Sequence, residues 1–168
     1  VVIEALSMLP PELKVICTGS LNDYRNAAHI EQLMQRIKEL GLEKRFIVLG
    51  LVERNKMMSL MAQALAVINP SLFEGWSTTV EEAKYIGKKI ILSDLPVHRE
   101  QSPADAIYFG TQDPAALAKA MLQVWQHKDR ERQLAVSRFT QARINLAQNR
   151  ALFADKYQTI VSAMLEKI

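Results

Sequence analysis

Residues 66–83 read Ala-Val-Ile-Asn-Pro-Ser-Leu-Phe-Glu-Gly-Trp-Ser-Thr-Thr-Val-Glu-Glu-Ala. Ala66 to Asn69 is a short apolar run stopped by Pro70, the pattern of a strand and its end. Thr79 to Ile86 follows with helical character and is closed by Gly87. The strand shows no alternation of polar and apolar residues. Strands of that kind are covered on both faces, as in parallel sheets. The turn between strand and helix is the type that places ligands in α/β folds.

The same unit recurs on either side. Upstream, Leu13 to Thr18 reads as a strand before Gly19. Asp23 to Leu40 reads as an amphipathic helix with Ile30, Leu33, Ile37 and Leu40 on one face. Asn22 or Asp23 suits its N-cap and Gly41 its end. Arg45 to Leu49 is a strand before Gly50, and Asn55 to Ala64 a helix whose methionines fill core space. Downstream, Lys89 to Ser93 and Ala106 to Phe109 are strands. Asp113-Pro114 starts a helix that runs to His127. Arg130 to Ala147 and Arg150 to Lys167 are two further helical stretches. The series predicts an α/β domain, a doubly wound parallel sheet with helices on both faces, over residues 1–168. Ligands in such sheets bind beyond the carboxyl ends of the strands. The loops that matter therefore follow Thr18, Leu49, Asn69, Ser93 and Phe109.

The chain enters directly into helix-patterned residues, with Val2, Ala5, Leu6 and Leu9 on one face and Pro10-Pro11 as the stop. It starts with Val1 rather than Met. The expectation is a piece of a longer protein whose preceding strand is missing.

Composition removes several function classes. Of 168 residues, 49% are hydrophobic and 23% charged, with a net charge of +3, ordinary for a globular domain. No dense Lys/Arg cluster with interleaved aromatics is present, which argues against nucleic-acid binding. Lys88-Lys89 reads as a pair of solvated loop charges. The single cysteine, Cys17, lies in an apolar run and reads as a buried structural thiol. His29, His98 and His127 have no metal-ligand spacing, so no metal is expected. No apolar run has membrane-spanning length and no signal-peptide pattern is seen, so the expected location is the cytoplasm.

The loop after Asn69 carries the chemistry. Ser77, Thr78 and Thr79 are N-cap residue types. The helix that starts there aims unpaired N–H groups and the positive end of its dipole at the crevice, which suits a diphosphate. Gly75 permits a bend or a close approach. Glu74 precedes the turn and Glu82 lies one turn inside the helix. Carboxylates there can accept from sugar and ribose hydroxyls. Structural roles stand beside these. Thr78-x-x-Glu81 matches a capping box. Glu82 also suits the dipole, Glu74 a turn, and Trp76 a core.

Together these residues resemble the donor-site signature of retaining family 4 (group 1) glycosyltransferases of the GT-B fold. That signature is Pro-Ser-x-x-Glu-Gly followed by Glu-Ala, its two glutamates separated by seven residues, as Glu74 and Glu82 are. Gly75 and Ala83 match as well. Gly87 to Asp94 resembles the family's Gly-x-Pro-Val-Ile segment, with Lys in place of Pro. The likeness extends through Pro96 to Glu100 and Ile107 to Asp113. Upstream it includes Gly19 and the strand Phe46 to Gly50, so that it spans about Val2 to Val124. Ser77 stands where a second glycine is usual, and Thr78 where Leu is.

The resemblance implies a nucleotide-sugar-binding domain, a Rossmann-like half of a GT-B protein. Glu82 would hold the ribose hydroxyls. Glu74 would contact and orient the transferred sugar, the one catalytic assignment. Backbone N–H groups at Trp76, Ser77 and Thr78 would hold the distal phosphate. Gly19 and Ser20 would border the diphosphate, and the loop after Gly50 the base. No metal or other cofactor is implied. The family's Arg and Lys that neutralise the diphosphate, and the N-terminal domain that binds an acceptor glycan or glycolipid, would lie outside this chain, leaving it inactive alone. The activity implied is retaining transfer of a hexose in polysaccharide or glycolipid synthesis, at the inner membrane face by peripheral association of the whole protein. The stretch Leu95 to Glu100 resembles bacterial mannosyltransferase-like enzymes of surface polysaccharide assembly. A nucleotide-sugar epimerase of the same fold and a non-catalytic Rossmann-like binding module are the alternatives. Gly-x-Gly-x-x-Gly is absent, as is the acidic cluster of a receiver domain. Phe153, Tyr157, Ile160, Val161 and Met164 form an apolar stripe that suits docking onto the N-terminal domain or packing on the chain's own sheet.

Overall fold

The computed structural model describes residues 1–21, 28–101 and 103–165. Its elements are α1 (Val2–Ser7), β1 (Val15–Cys17), α2 (His29–Glu39), β2 (Phe46–Val48), α3 (Arg54–Gln63) and β3 (Val67–Asn69). They continue with α4 (Thr78–Tyr85), β4 (Ile90–Ser93), α5 (Pro96–Gln101), β5 (Ile107–Phe109), α6 (Pro114–Gln126) and α7 (Lys128–Leu165). The cap expected at Asn22 or Asp23 lies outside the described residues.

Every strand pair is parallel: β1 with β2, β3 with β4, and β4 with β5. Ile90, Ile91 and Leu92 of β4 are at most 1% exposed. Successive strand residues point to opposite faces. Ile90 and Leu92 meet Val80 and Ala83 of α4 and Met61 of α3. Ile91 meets Leu6 of α1 and Leu117 and Met121 of α6 on the other side. Helices thus cover both faces, the parallel α/β architecture expected.

The hydrogen-bonded ladder is divided into two sheets, β1-β2 and β3-β4-β5. The Val15 amide donates to Arg45 O and the Leu49 amide to Cys17 O, so the backbone groups of Ile16 face away from β2. The Val67 amide donates to Lys89 O, so those of Ile68 face away from β4. Among the described residues no strand pairs with either edge. The sheets still share one core, because Val15, Phe46 and Val48 pack on the same cluster as Ile68 and Ile91.

Arg45 joins this core to α1. Its Nη2 donates to the carbonyls of Leu6, Leu9 and Pro10, and its Nε to that of Leu13. Leu6 lies in the last turn of α1, and the other three carbonyls belong to the segment that joins α1 to β1. At the N-terminus of α6, the expected Asp113 cap forms, Oδ1 accepting from the Ala116 amide at 2.8 Å.

Several local expectations change. Cys17 is exposed rather than buried, and among the described residues β1 has a strand on one side only. Partial desolvation pushes its thiol above the ordinary value, which disfavours the reactive thiolate. The methionines of α3 are half-buried, and α3 has no fully buried residue. Lys88 is no solvated loop charge. Its Nζ donates to Ala62 O and Ala64 O, both at 2.7 Å, and so caps the end of α3. The two C-terminal stretches form one helix of 38 residues. Gln148 and Asn149 do not break it, since neither is Gly or Pro. Past residue 150 every described residue of α7 is exposed, including Phe153, Tyr157, Ile160, Val161 and Met164, so the stripe does not pack on the chain's own sheet. Among the described residues no helix is long and apolar enough to cross a membrane.

α7 crosses the α4–β4 turn at close range. Gly87 has φ +62°, and a Cβ there would lie 2.4 Å from Arg138 O. Gly87→Ala is expected to lower stability by about 2–4 kcal/mol, through positive-φ strain and displacement of α7, as read by urea unfolding. Arg45→Met should cost about 2–4 kcal/mol in the same assay, since it strips donors from partly buried carbonyls.

Candidate functional site

β3 ends at Asn69, whose side chain organises the loop that follows. Asn69 is 6% exposed. Its Nδ2 donates to Ser77 Oγ at 2.8 Å and to Glu74 Oε1 at 3.3 Å, while its Oδ1 accepts from the Ser71 amide at 3.1 Å. Ser71 Oγ adds a second donor to Glu74 Oε1, at 2.8 Å. Glu74 is therefore fixed by the end of β3. Its half-buried carboxylate has one oxygen engaged by two donors. Such a polar network holds its members in one geometry. Gly75 is exposed, and no atom lies within 4 Å of where a Cβ would stand. Trp76 is 53% exposed and is not a core aromatic.

α4 starts one residue earlier than a Thr78 cap requires. Ser77 is its N-cap, Oγ accepting from the Val80 amide at 3.4 Å. The capping box at Glu81 consequently does not form. Glu81 is structural by another route, accepting from Gln101 Nε2 at 2.9 Å and Lys84 Nζ at 3.2 Å. Gln101, from α5, also accepts from the Ser77 amide at 3.3 Å and donates to Ser77 O at 2.9 Å. Ser77 is 2% exposed. Its amide, expected among the phosphate donors, is engaged by Gln101 in this structure. Thr78 is exposed, and helix geometry gives the amides of Thr78 and Thr79 no intrahelical acceptor.

Glu82 lies in the second turn of α4 with 14% of its side chain exposed. Its Oε1 is 3.0 Å from Nη1 of Arg54, the first residue of α3. Gly19 and Ser20 follow β1 and are exposed. The Gly19 amide donates to Gly50 O at 2.9 Å, which ties the loop after β1 to the loop after β2. The strands being parallel, all these loops open at one end. Hydrogen bonds thus join Glu74, Ser77, Asn69 and Gln101 in one group and Gly19 with Gly50 in a second. An ion pair brings Glu82 to the helix that begins just past Gly50.

A further layer supports the loop. Ser93 Oγ donates to Ser71 O at 2.6 Å. His98, fully buried, donates from Nδ1 to Ser93 O at 2.7 Å. Its Nε2 is then an acceptor with no partner among the described residues. After β4, Arg99 forms a fork with Asp94 at 2.7 and 2.9 Å and holds that carboxyl below its ordinary value. No group of three His, Cys, Asp or Glu side chains able to hold a metal ion occurs among the described residues.

Sequence reasoning missed Asn69, Gln101 and Arg54. An Asn closing a strand ahead of Pro70 is a signal, since Asn is depleted in strands. A cation opening α3 is another, since helix N-termini favour anions. Gln101 had none.

The chain is 30% identical over 107 residues to the O-antigen chain mannosyltransferase RfbU of Salmonella typhimurium, covering 64% of this chain and 29% of that one. HepE of Anabaena, solved in complex with UDP, superposes with a TM-score of 0.69 at 22% identity, over 89% of this chain and 44% of that one. Sucrose-phosphate synthase of Thermosynechococcus elongatus does so with 0.67 at 19% identity, over 91% of this chain and 41% of its own length. The chain spans less than half of each of these relatives. At these identities the two structures speak for the fold. The model of the family described as glycosyl transferases group 1 matches residues 1–138, most of the 168, and the chain belongs to that family.

Proposed function

We propose that the strand-end crevice binds a nucleotide diphosphate sugar for retaining hexosyl transfer to an acceptor hydroxyl. The observation that carries this is the pair of carboxylates around the start of α4: Glu74 fixed by Asn69 and Ser71, and Glu82 at the rim. Glu82 accepts from the ribose hydroxyls, and Glu74 orients the transferred sugar. The N-terminus of α4, at the amides of Trp76 and Thr78, receives the distal phosphate, the Ser77 amide being held by Gln101, with Gly19 and Ser20 bordering the diphosphate. Fixed dipoles aimed at a departing diphosphate are an effective way to lower such a barrier. The reading needs no metal. Support for a nucleotide donor comes from HepE, solved with UDP and with UDP-glucose. Support for mannose as the hexose, and for polysaccharide or glycolipid as the product, comes from the Salmonella relative, an O-antigen chain mannosyltransferase. The acceptor belongs to the part of the whole protein outside these 168 residues, as does any peripheral hold on the cytoplasmic face of a membrane.

The open edges at Ile16 and Ile68 support one more part of this reading. A strand from outside the 168 residues runs parallel between β1 and β3, satisfies both edges, and makes one sheet of the two. The loop beyond such a strand enters the crevice from its centre, where cations for the diphosphate belong.

Binding is tested by amide shift titration of the chain with UDP, GDP and ADP. Shifts at residues 75–79 with one nucleotide are expected, and Glu82→Ala should weaken that binding roughly tenfold, the loss of hydrogen bonds to a charged acceptor. Silence toward all three, in this chain and again in a longer chain that restores the strand between β1 and β3 with its loop, would overturn the donor site. In a transfer assay with labelled nucleotide sugars the chain alone is expected to give no product, and detectable transfer would contradict the role assigned to the rest of the protein.

A further inference from the structure

The Arg54–Glu82 pair joins the start of α3 to the second turn of α4. Arg54 is 74% exposed while Glu82 is 14% exposed. An ion pair with one end in water adds about 0–1 kcal/mol to stability. α3 has no fully buried residue that the pair would help to seat. Arg54 is also misplaced for its own helix. The first turn of α3 contains no acidic residue, and Arg54 and Lys56 both stand at the positive end of the dipole. Glu53, the N-cap, makes no side-chain capping bond. A solvated helix start chosen for stability alone would have the opposite charge. What Arg54 does is reach across to α4, 28 positions later in the chain, and take one oxygen of Glu82.

The two carboxylate oxygens then differ. Oε1 is held by the guanidinium at 3.0 Å. A carboxylate has about four lone-pair sites, so the group can still accept from a diol. Held by Arg54, it does so in one orientation instead of several. The arginine opens α3, just after the loop that follows Gly50, the loop that the proposed donor site gives to the base.

We infer that Arg54 is a positioning residue for the nucleoside: it fixes the Glu82 carboxylate so that it receives a ribose 2′,3′-diol. This rests on the donor-site reading above and adds to it the group that sets the geometry of Glu82. The ligand class is a ribonucleoside diphosphate, and the part of it that Arg54 governs is the diol.

The test measures dissociation constants of the 168-residue chain for UDP and for 2′,3′-dideoxy-UDP, with GDP and ADP and their dideoxy forms in parallel. Arg54→Ala should weaken the ribonucleotide roughly three- to tenfold, the range for loss of one charge-assisted contact. Against the dideoxy analogue the same variant should match wild type. Arg54→Lys should recover part of the loss, because it restores a cation without the planar fork. In a Glu82→Gln background Arg54→Ala should add nothing, the signature of two residues acting as one unit. Thermal melts of both Arg54 variants, which alter an exposed side chain, verify folding. Unchanged ribonucleotide affinity in Arg54→Ala would overturn the inference while leaving the donor site intact. So would an equal loss on both analogues, which would assign Arg54 to the phosphates or base, or a gain in affinity, which would make it a competitor for Glu82. No nucleotide binding by the wild-type chain, nor by a longer chain that restores the strand between β1 and β3 with its loop, would overturn the donor site and this inference with it.

Discussion

Everything in this fold hangs on the burial of β4 from both sides. Ile90 and Leu92 complete the cluster beneath α4, and Ile91 completes the one beneath α1 and α6. A strand enclosed in that way must be apolar at consecutive positions and has its backbone satisfied by neighbours on both edges, β3 and β5. The position of β3 follows, and with it the place where Asn69 emerges. The crevice lies at that end because parallel strands all deliver their carboxyl ends to one side.

From there the construction is polar. Asn69 has donors and acceptors facing three ways, and the structure uses each: Ser71 and Glu74 in the loop, and Ser77 at the helix start. Gln101 closes the group from α5, and Ser93 with His98 braces Ser71 from below. An isolated carboxylate on a loop samples many orientations. Glu74 is held by neighbours that are themselves held. That rigidity suits the role proposed for Glu74.

Much of this was legible in the sequence. Short apolar strands, glycines at their ends and the Glu-x7-Glu spacing led to a parallel α/β domain of the right family, and Asp113-Pro114 gave the correct helix start. Periodicity could not reveal the division of the ladder, because pairing is a contact between distant segments, and Ile16 looks as apolar as Ile91. Cys17 was misjudged for the same reason. Its run matches a central strand, yet among the described residues β1 pairs only with β2. Lys88 was misread because the carbonyls that receive it belong to another helix, more than twenty positions away. At the site, the local bonding differs from what the sequence suggests. Ser77, Thr78 and Thr79 are equally good caps on paper. The amide of Asn69 selects Ser77, and that choice releases Glu81 to Gln101.

The length of α7 has a consequence for how the molecule moves in solution. At 38 residues the helix is about 57 Å long. A compact chain of 168 residues has a radius of gyration of about 15 Å. The last residue of α7 that is fully buried is Ala142, so more than half of the rod extends past its anchorage. Rotational diffusion about the rod's long axis is then faster than end-over-end tumbling. Amide vectors in α7, nearly all parallel to that axis, relax as those of a heavier particle would, while vectors in the strands report a mixture of both rotations.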